Sequence, residues 1–445
     1  MGVRFGTDGI RGLANVEVTP ELALAIGRAA ARHLPSETFL VGSDTRRSGP
    51  MLLAALSAGI AAEGGQVQSL GVVPTPALAY LAATRSHPAA MVSASHNPFY
   101  DNGIKLIAAN GSKLPDALER AIEEEIDVLL AGTTSETISG ADVGSIESDT
   151  TGLLAYEEYL AASVRSGSAS RLKVVCDCAQ GAASVVAPRV LARFGVELRV
   201  IGASPDGTNI NDGFGSTDTG ALAAEVLEQH ADLGVAFDGD ADRLIAVDER
   251  GDVVDGDRLI ALFATDLLGK GSLRGGAVVV TVMSNLGLHR ALAAAGIEVV
   301  ECAVGDRNIL EALEAKSLCF GGEQSGHLIF RDDATTGDGL LSALKLLDLL
   351  GRAKRPLSEL AAGAMTRLPQ ELRTVYVPEP TRYATNTVIA AAIGEVELAL
   401  GSSGRLLVRA SGTESAVRVM VEAEEAALAL SAAERLAALV AEQLG

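Results

Sequence analysis

The sequence predicts an α/β protein assembled from repeated strand–helix units, and three observations carry that reading. One pattern recurs: an apolar, β-rich run ends in a polar tip and a helical stretch follows, as in "TFLVGSDTR", "AAMVSASHNP", "LKVVCDCAQGAAS", "LGVAFDGDADR" and "GAVVVTVMSN". Apolar runs of this length suit strands buried on both faces. Their alternation with helical segments such as 51–63, 183–194, 219–230 and 286–295 suits α/β layers. The length, 445 residues, exceeds one ordinary core and suggests about three. The composition allows such cores: 48% of residues are apolar, only 3% aromatic, and Trp is absent, so Ala, Val, Leu and Ile must fill them.

Taken in order, the N-terminal "MGVRFGTDG" has no apolar leader, and Gly6 stands where a myristoylation motif wants Ser or Thr. The run "MLLAALSAGIAAEGG" is short and broken by Gly, so it reads as a packed helix and not a membrane span. Residues 131–150 are rich in Ser, Thr and Gly and read as a linker or surface hairpin. "DERGDVVDGDR" (248–258) places a Gly-Asp turn before a new apolar helix, a third break falls near 364–373 before the strand "RTVYV", and 424–443 is helical. The expected domains are 1–150, 151–250, 251–367 and 368–445. A soluble, cytoplasmic protein is expected, and a homodimer is compatible with the sequence.

The formal charge of −21 argues against nucleic acid and against an anionic membrane surface. It allows a small anionic substrate, because a local cluster of Arg and Lys can outweigh the global field in a cleft. The four cysteines, Cys176, Cys178, Cys302 and Cys319, have no His close to the C-x-C pair and read as buried thiols in strands, not zinc ligands.

In open α/β sheets ligands bind at the carboxyl ends of strands, so what the polar tips contain matters. At 93–105, Ser95 is followed by His96, a hydrogen-bond partner. Asn97-Pro98 and Asn102-Gly103 impose turns, and Lys105 can reach back as an acid/base or phosphate contact. A serine so placed can act as a nucleophile, although the G-x-S-x-G elbow of esterases is missing. At 238–243, "DGDADR" alternates Asp238, Asp240 and Asp242. Three like charges at that spacing repel unless a cation holds them, and all-oxygen ligands favour Mg²⁺ or Mn²⁺ over zinc. A Ca²⁺ EF-hand would share D-x-D-x-D and Glu249 at its twelfth position. It needs Gly where Arg243 stands, and a helix where "LGVAF" reads as a strand.

At 321–327, "GGEQSGH" presents Glu323, Ser325 and His327 on a Gly-flanked turn that suits hydrogen bonding to a polyol such as a sugar. At 408–420, "VRASGTESAVRVM" sets Arg409, Ser411, Gly412 and Thr413 on a turn able to cradle phosphate, with Arg418 nearby and no Walker lysine. A nucleophile, a metal triad, a polyol turn and a phosphate turn together ask for phosphoryl transfer on a phosphosugar.

With these motifs in place, the chain resembles the α-D-phosphohexomutases, and most closely their bacterial phosphoglucosamine mutase branch. "RFGTDGIRGLAN", "SASHNP…DNGIK", "DGDADR", "GGEQSGH" and "SGTE" occur in the family's order across nearly the whole chain. The resemblance implies three related α/β domains with mixed sheets and a smaller α+β C-terminal domain around a central cleft. It implies that Ser95 is a phosphoserine carrier whose phosphate, with Asp238, Asp240 and Asp242, holds one Mg²⁺. Lys105 and Arg243 are implied near the acid/base work, supported by His96 and His327, and Arg11 near the reacting phosphate. Glu323 and Ser325 match the sugar-binding pair, and Arg409, Ser411, Gly412 and Thr413 the phosphate anchor. Ala410 and Ser415 depart from the Lys and Pro expected there, which touches the stiffness and grip of that loop.

The implied reaction interconverts glucosamine 6-phosphate and glucosamine 1-phosphate through glucosamine 1,6-bisphosphate as intermediate or primer, feeding UDP-N-acetylglucosamine and the cell wall. A phosphomannomutase or phosphoglucomutase, and a metal-dependent sugar phosphatase, remain alternatives at this stage.

Overall fold

The computed structural model describes residues 4–6, 8–132, 138–164, 169, 171–411 and 415–445. Two compact units divide the chain: Met1–Met283 with Ile297–Ala362, and Ser284–Gly296 with Gly363–Gly445.

The larger unit contains three mixed sheets. In the first, strands lie in the order Ile10–Leu13, Asp101–Ile107, Ala89–Val92, Thr38–Ser43, Gln66–Val72, Ile146–Ser148. Its centre is parallel, and Asp101–Ile107 returns antiparallel beside Ala89–Val92. The second sheet runs Val253–Val254, Ile245–Asp248, Leu233–Ala236, Lys173–Asp177, Glu197–Ile201. The third runs Glu298–Cys302, Ala277–Thr281, Phe320–Gly322, Leu328–Phe330. All three share one device: a central strand ends in a loop, and an antiparallel strand returns from it. The polar stretches 93–100, 237–244 and 323–327 are those loops. This is how one sheet plan presents a serine, an aspartate triad and a Glu-x-Ser-x-His turn at corresponding positions.

Continuous apolar runs give the central strands. Ala89–Val92, Leu233–Ala236 and Ala277–Thr281 are buried at every position, because helices cover both faces of such sheets. The "MLLAALSAGIAAEGG" stretch is the packed helix Gly49–Ala62. Residues 131–150 differ from a plain linker or hairpin: Ile146–Ser148 adds a parallel edge strand to the first sheet beside Gln66–Val72. Three exposed residues in a Ser-rich setting carry no strand signature. Cys176 lies in a buried strand and Cys178 just beyond it, with sulfurs 3.7 Å apart.

The smaller unit has the antiparallel sheet Gln370–Tyr376, Ala416–Ala423, Gly404–Ala410. Helices Thr387–Leu400 and Ala426–Leu444 pack their apolar faces with it into one core that includes Ile389, Val417, Val419 and Leu436. The helix Leu286–Ala294 belongs to this unit too. Its cap residue Asn285 donates to Glu422 at 3.1 Å, and Glu422 accepts from Arg405 at 3.0 Å. No described helix is long and apolar enough to cross a membrane.

Candidate active site

Ser95 sits at the tip of the loop after Ala89–Val92, fully buried, with φ +52°. A non-glycine residue holds that left-handed conformation at a cost, so the surroundings must impose it. They do so through Arg46. Its guanidinium donates to the carbonyls of Ser95 (2.9 Å), Asn97 (2.7 Å) and Asp101 (3.1 Å), to that of Pro98, and to Asp44 (2.9 Å). Asp44 accepts from Ser93 Oγ at 2.7 Å, which accepts from the Ser95 amide at 2.9 Å.

The Asp238–Asp242 loop meets Ser95 directly. Ser95 Oγ donates to Asp238 Oδ2 at 2.6 Å, and His96 Nδ1 lies 3.3 Å from Ser95 Oγ. Gly239 is required here, since a Cβ on it would stand 2.5 Å from the Ser95 carbonyl oxygen. One carboxylate oxygen from each of Asp238, Asp240 and Asp242 falls within 4.8 Å of the others, and all three side chains are buried. Asp240 Oδ2 accepts from Thr75 Oγ1 (2.7 Å) and Lys105 Nζ (2.9 Å). Asp240 Oδ1 and Asp242 Oδ1 are buried with no hydrogen-bond partner among the described residues.

Burial and the two neighbouring carboxylates push the Asp238 carboxyl well above its ordinary range. Asp242 is held well below its own: burial opposes ionisation, and His327, Lys105 and Arg243 outweigh it. Two unpartnered oxygens and a carboxyl driven toward protonation by its neighbours fit a hard divalent cation.

Cations surround this cluster. Arg11 pairs with Asp8, and Lys105 also lies 3.2 Å from Asp8. Arg11 and Arg243 are largely buried, and each has an Nε without a hydrogen-bond partner among the described residues. Such donors suit an anion with several oxygens. His96 is pushed down to about 4 by burial and by Arg243 and Arg11, so it is neutral near pH 7.

The Glu323–His327 turn joins the same site. Residues 243 and 327 form a β-bridge, and the Leu244 amide donates to the Gly326 carbonyl at 2.9 Å. Gly326 has φ +89°, and a Cβ there would lie 2.2 Å from the Leu244 oxygen. Glu323 Oε1 accepts from the Gly305 amide at 3.0 Å, and Ser325 Oγ has no partner among the described residues. His327 departs from the polyol expectation: its ring is buried between Asp242 and Asp306, 3.7 Å from each. Burial works against its charge, yet Asp242 above all, then Asp306, raises its affinity for a proton.

In the smaller unit, Arg409 and Arg418 stand directly opposite each other on paired antiparallel strands. Like charges opposite one another are unfavourable. Burial and Arg418 lower the proton affinity of Arg409, whose Nε has no partner among the described residues. Ser411 closes the turn through its amide to the Ala416 carbonyl at 2.8 Å. Gly412 and Thr413 lie outside the described residues.

The structure thus brings Ser95, His96, Lys105, Asp238, Asp240, Asp242, Arg243 and His327 together through direct contacts, with Arg11 joined to them through Asp8. Sequence reasoning missed Asp8, Arg46, Thr75, Lys113 and Asp306. Asp8 and Arg46 lay inside the motifs "GTDGIRG" and "GSDTR" without an assigned task. The others carried no local signal.

Four models match in succession: phosphoglucomutase/phosphomannomutase α/β/α domain I over residues 2–130, domain II over 155–251, domain III over 255–368 and the C-terminal domain over 373–439. A phosphoglucosamine mutase of Desulforudis audaxviator is 49% identical over 447 residues, covering 99% of this chain and 98% of that one. A phosphoglucosamine mutase of Frankia alni is 50% identical over 450 residues, covering 98% and 97%. The crystal structure of a phosphoglucomutase/phosphomannomutase family protein from Burkholderia thailandensis superimposes with a TM-score of 0.81 at 24% identity, over 100% of this chain and 99% of that one, and so shares the fold.

Proposed function

The chain belongs to the phosphoglucomutase/phosphomannomutase family, and from that membership we infer that it interconverts glucosamine 6-phosphate and glucosamine 1-phosphate, the reaction named for its full-length relatives. One observation carries the chemistry: a buried serine hydroxyl 2.6 Å from a carboxylate triad that keeps two unpartnered oxygens. Phosphoryl transfer asks for that neighbourhood, a nucleophile where charge on the transferring group can be neutralised.

Mg²⁺, held by Asp238, Asp240, Asp242 and the phosphate on Ser95, would supply charge neutralisation at the transferring phosphoryl group. The chain's own groups do the rest. Phospho-Ser95 gives its phosphoryl group to the free hydroxyl of the bound sugar phosphate. The Ser95 O–P bond breaks, a new sugar O–P bond forms, and the hydroxyl proton ends on Ser95 Oγ, with neutral His96, 3.3 Å from that oxygen, placed to relay it, while the cationic Lys105 and His327 stand beside the triad. The bisphosphate turns over in the site, and Ser95 takes back the other phosphoryl group. Arg11 and Arg243 offer their unpartnered nitrogens to phosphate oxygens, and Glu323 and Ser325 bind ring hydroxyls. Arg409, Ser411, Gly412, Thr413 and Arg418 anchor the phosphate that does not react. An opposed arginine pair suits that role because an anion between them relieves their repulsion.

The test is steady-state kinetics in both directions with glucosamine, glucose and mannose phosphates, with and without bisphosphate primer, while inorganic phosphate is followed. Highest kcat/KM on the glucosamine phosphates with no phosphate release is expected. Release of inorganic phosphate at the rate of substrate loss would make the chain a phosphatase, and preference for another hexose would reassign the sugar.

A further inference from the structure

Behind the triad, charged side chains form a closed circuit in which each group stands between two of opposite sign. From Asp242 it passes to His327 (3.7 Å), then to Asp306 (3.7 Å), Lys113 (2.5 Å), Asp8 (3.5 Å) and Lys105 (3.2 Å), and returns from Lys105 to Asp242 (3.9 Å) and Asp240 (2.9 Å). Lys113 belongs to the first sheet's region, bridged to Ile107, while Asp306 begins the helix Asp306–Ala315 beside the third sheet. The circuit therefore joins Lys105 and His327 by a route that avoids the aspartates of the triad.

That route matters because the other anchors of Lys105 and His327 are the triad itself. Carboxylates that hold a divalent cation give up part of their charge to it, so their grip on Lys105 and His327 weakens when the site is loaded. Asp8 and Asp306 lie outside the triad and keep theirs. Lys105 also borders a small cavity of about 40 Å³, shared with Asp8, Lys113 and Asp306, which leaves slack beside its ammonium. A long flexible side chain keeps one rotamer only where a partner holds it.

We propose that the Lys113–Asp306 ion pair is a positioning pair, which keeps Lys105 and His327 aimed at the reacting phosphoryl group once the triad's aspartates are engaged elsewhere. Neither residue touches substrate in this role. Arg307, next in sequence, ties the same two regions together through Asp116 (2.5 Å) and Glu119 (2.6 Å) but stands outside the circuit. It is the natural control for a merely structural contribution.

The experiment uses the full chain. A single substitution strands a buried charge and risks misfolding, so the decisive variant removes both, Lys113→Met with Asp306→Asn. Relative to wild type, kcat is expected to fall about tenfold or more with KM changed by less than about threefold, the pattern of an interaction that matters in the transition state. Asp306→Glu, which keeps the charge, is expected to retain most of kcat, and Arg307→Gln to lower thermal stability while leaving kcat near wild type. The turnover arm rests on the proposed mutase reaction. Crystallography of the Mg²⁺-loaded double variant does not, and it is expected to show Lys105 or His327 in a rotamer different from the loaded wild type. Wild-type kcat in the folded double variant, or an equal loss in Arg307→Gln, would overturn the proposal, and so would unmoved Lys105 and His327 side chains. A wild-type enzyme silent on every hexose phosphate would sink the substrate assignment alone, and the two crystal structures would still decide this one.

Discussion

Arg46→Lys is the most informative perturbation of the serine loop, because it keeps the charge that Asp44 needs and removes the geometry. The guanidinium makes five hydrogen bonds from three nitrogens, four of them to carbonyls within 95–101. An ammonium has three protons on one nitrogen, so at least two of these bonds are lost. Asn211 Nδ2 already donates to the carbonyls of Ser95 (2.9 Å) and Asn97 (3.1 Å) and softens the loss there. Two charge-assisted bonds at the low end of their range give about 3 kcal/mol, roughly a hundredfold in the population of loops that have let go. The left-handed Ser95 pushes the same way, since relaxing it recovers about 1–2 kcal/mol. The assay is hydrogen–deuterium exchange of the 93–102 segment, read beside kcat. Exchange faster by about a hundredfold and kcat lower by at least about tenfold are expected. Unchanged exchange with kcat within about twofold of wild type would refute the claim that Arg46 moulds this loop.

Other consequences are open to direct measurement. Mg²⁺ should raise the melting temperature by relieving repulsion among Asp238, Asp240 and Asp242, worth about 2.7 kcal/mol at a hundredfold excess over its dissociation constant. Chelation should silence turnover, and Asp240→Asn should lose both responses; a wild-type melting curve and activity indifferent to Mg²⁺ would count against the site. Asp338 accepts from Tyr156 Oη at 2.9 Å, and burial raises it from 3.8 to about 6. A carboxyl so raised holds its proton more tightly folded than unfolded, so its contribution is greatest below about pH 4 and is lost as pH climbs through about 6. Tyr156→Phe removes a donor that the ionised form needs most, and should destabilise by about 1–3 kcal/mol at pH 8 and less at pH 5; equal losses at both pH values in denaturant unfolding would contradict this. Arg409→Ala should weaken kcat/KM for both glucosamine phosphates by about 1.5–3 kcal/mol, and an effect in one direction only would rule out a shared anchor.

The strands were legible in the sequence because burial on both faces leaves unbroken apolar runs, as at Ala277–Thr281. The aspartate cluster was legible because three alternate acids on a tight loop repel one another until a cation joins them, and Ser95 because a polar tip follows such a run. Arg46 looked like any solvated arginine after a strand, and its task depends on carbonyls some fifty residues away. Thr75–Asp240 and Lys113–Asp306 join residues 165 and 193 positions apart. Such pairs exist only once sheets of separate domains pack, and nothing local in "PTPA" or "VGDR" announces them. The edge strand Ile146–Ser148 is short, exposed and polar, so only its pairing reveals it.

The most direct test follows the phosphorus on Ser95 through one turnover. Phosphorylated enzyme is mixed with excess glucosamine 6-phosphate and Mg²⁺ and quenched at intervals. Intact-mass and peptide analysis report phosphoserine, while chromatography reports glucosamine bisphosphate, glucosamine 1-phosphate and inorganic phosphate. The expected result is loss of phosphate from Ser95 matched by bisphosphate, then its return as glucosamine 1-phosphate accumulates, with a folded Ser95→Ala variant inert. Full activity in Ser95→Ala, or inorganic phosphate appearing as fast as phosphoserine disappears, would contradict a phosphoryl-carrying mutase.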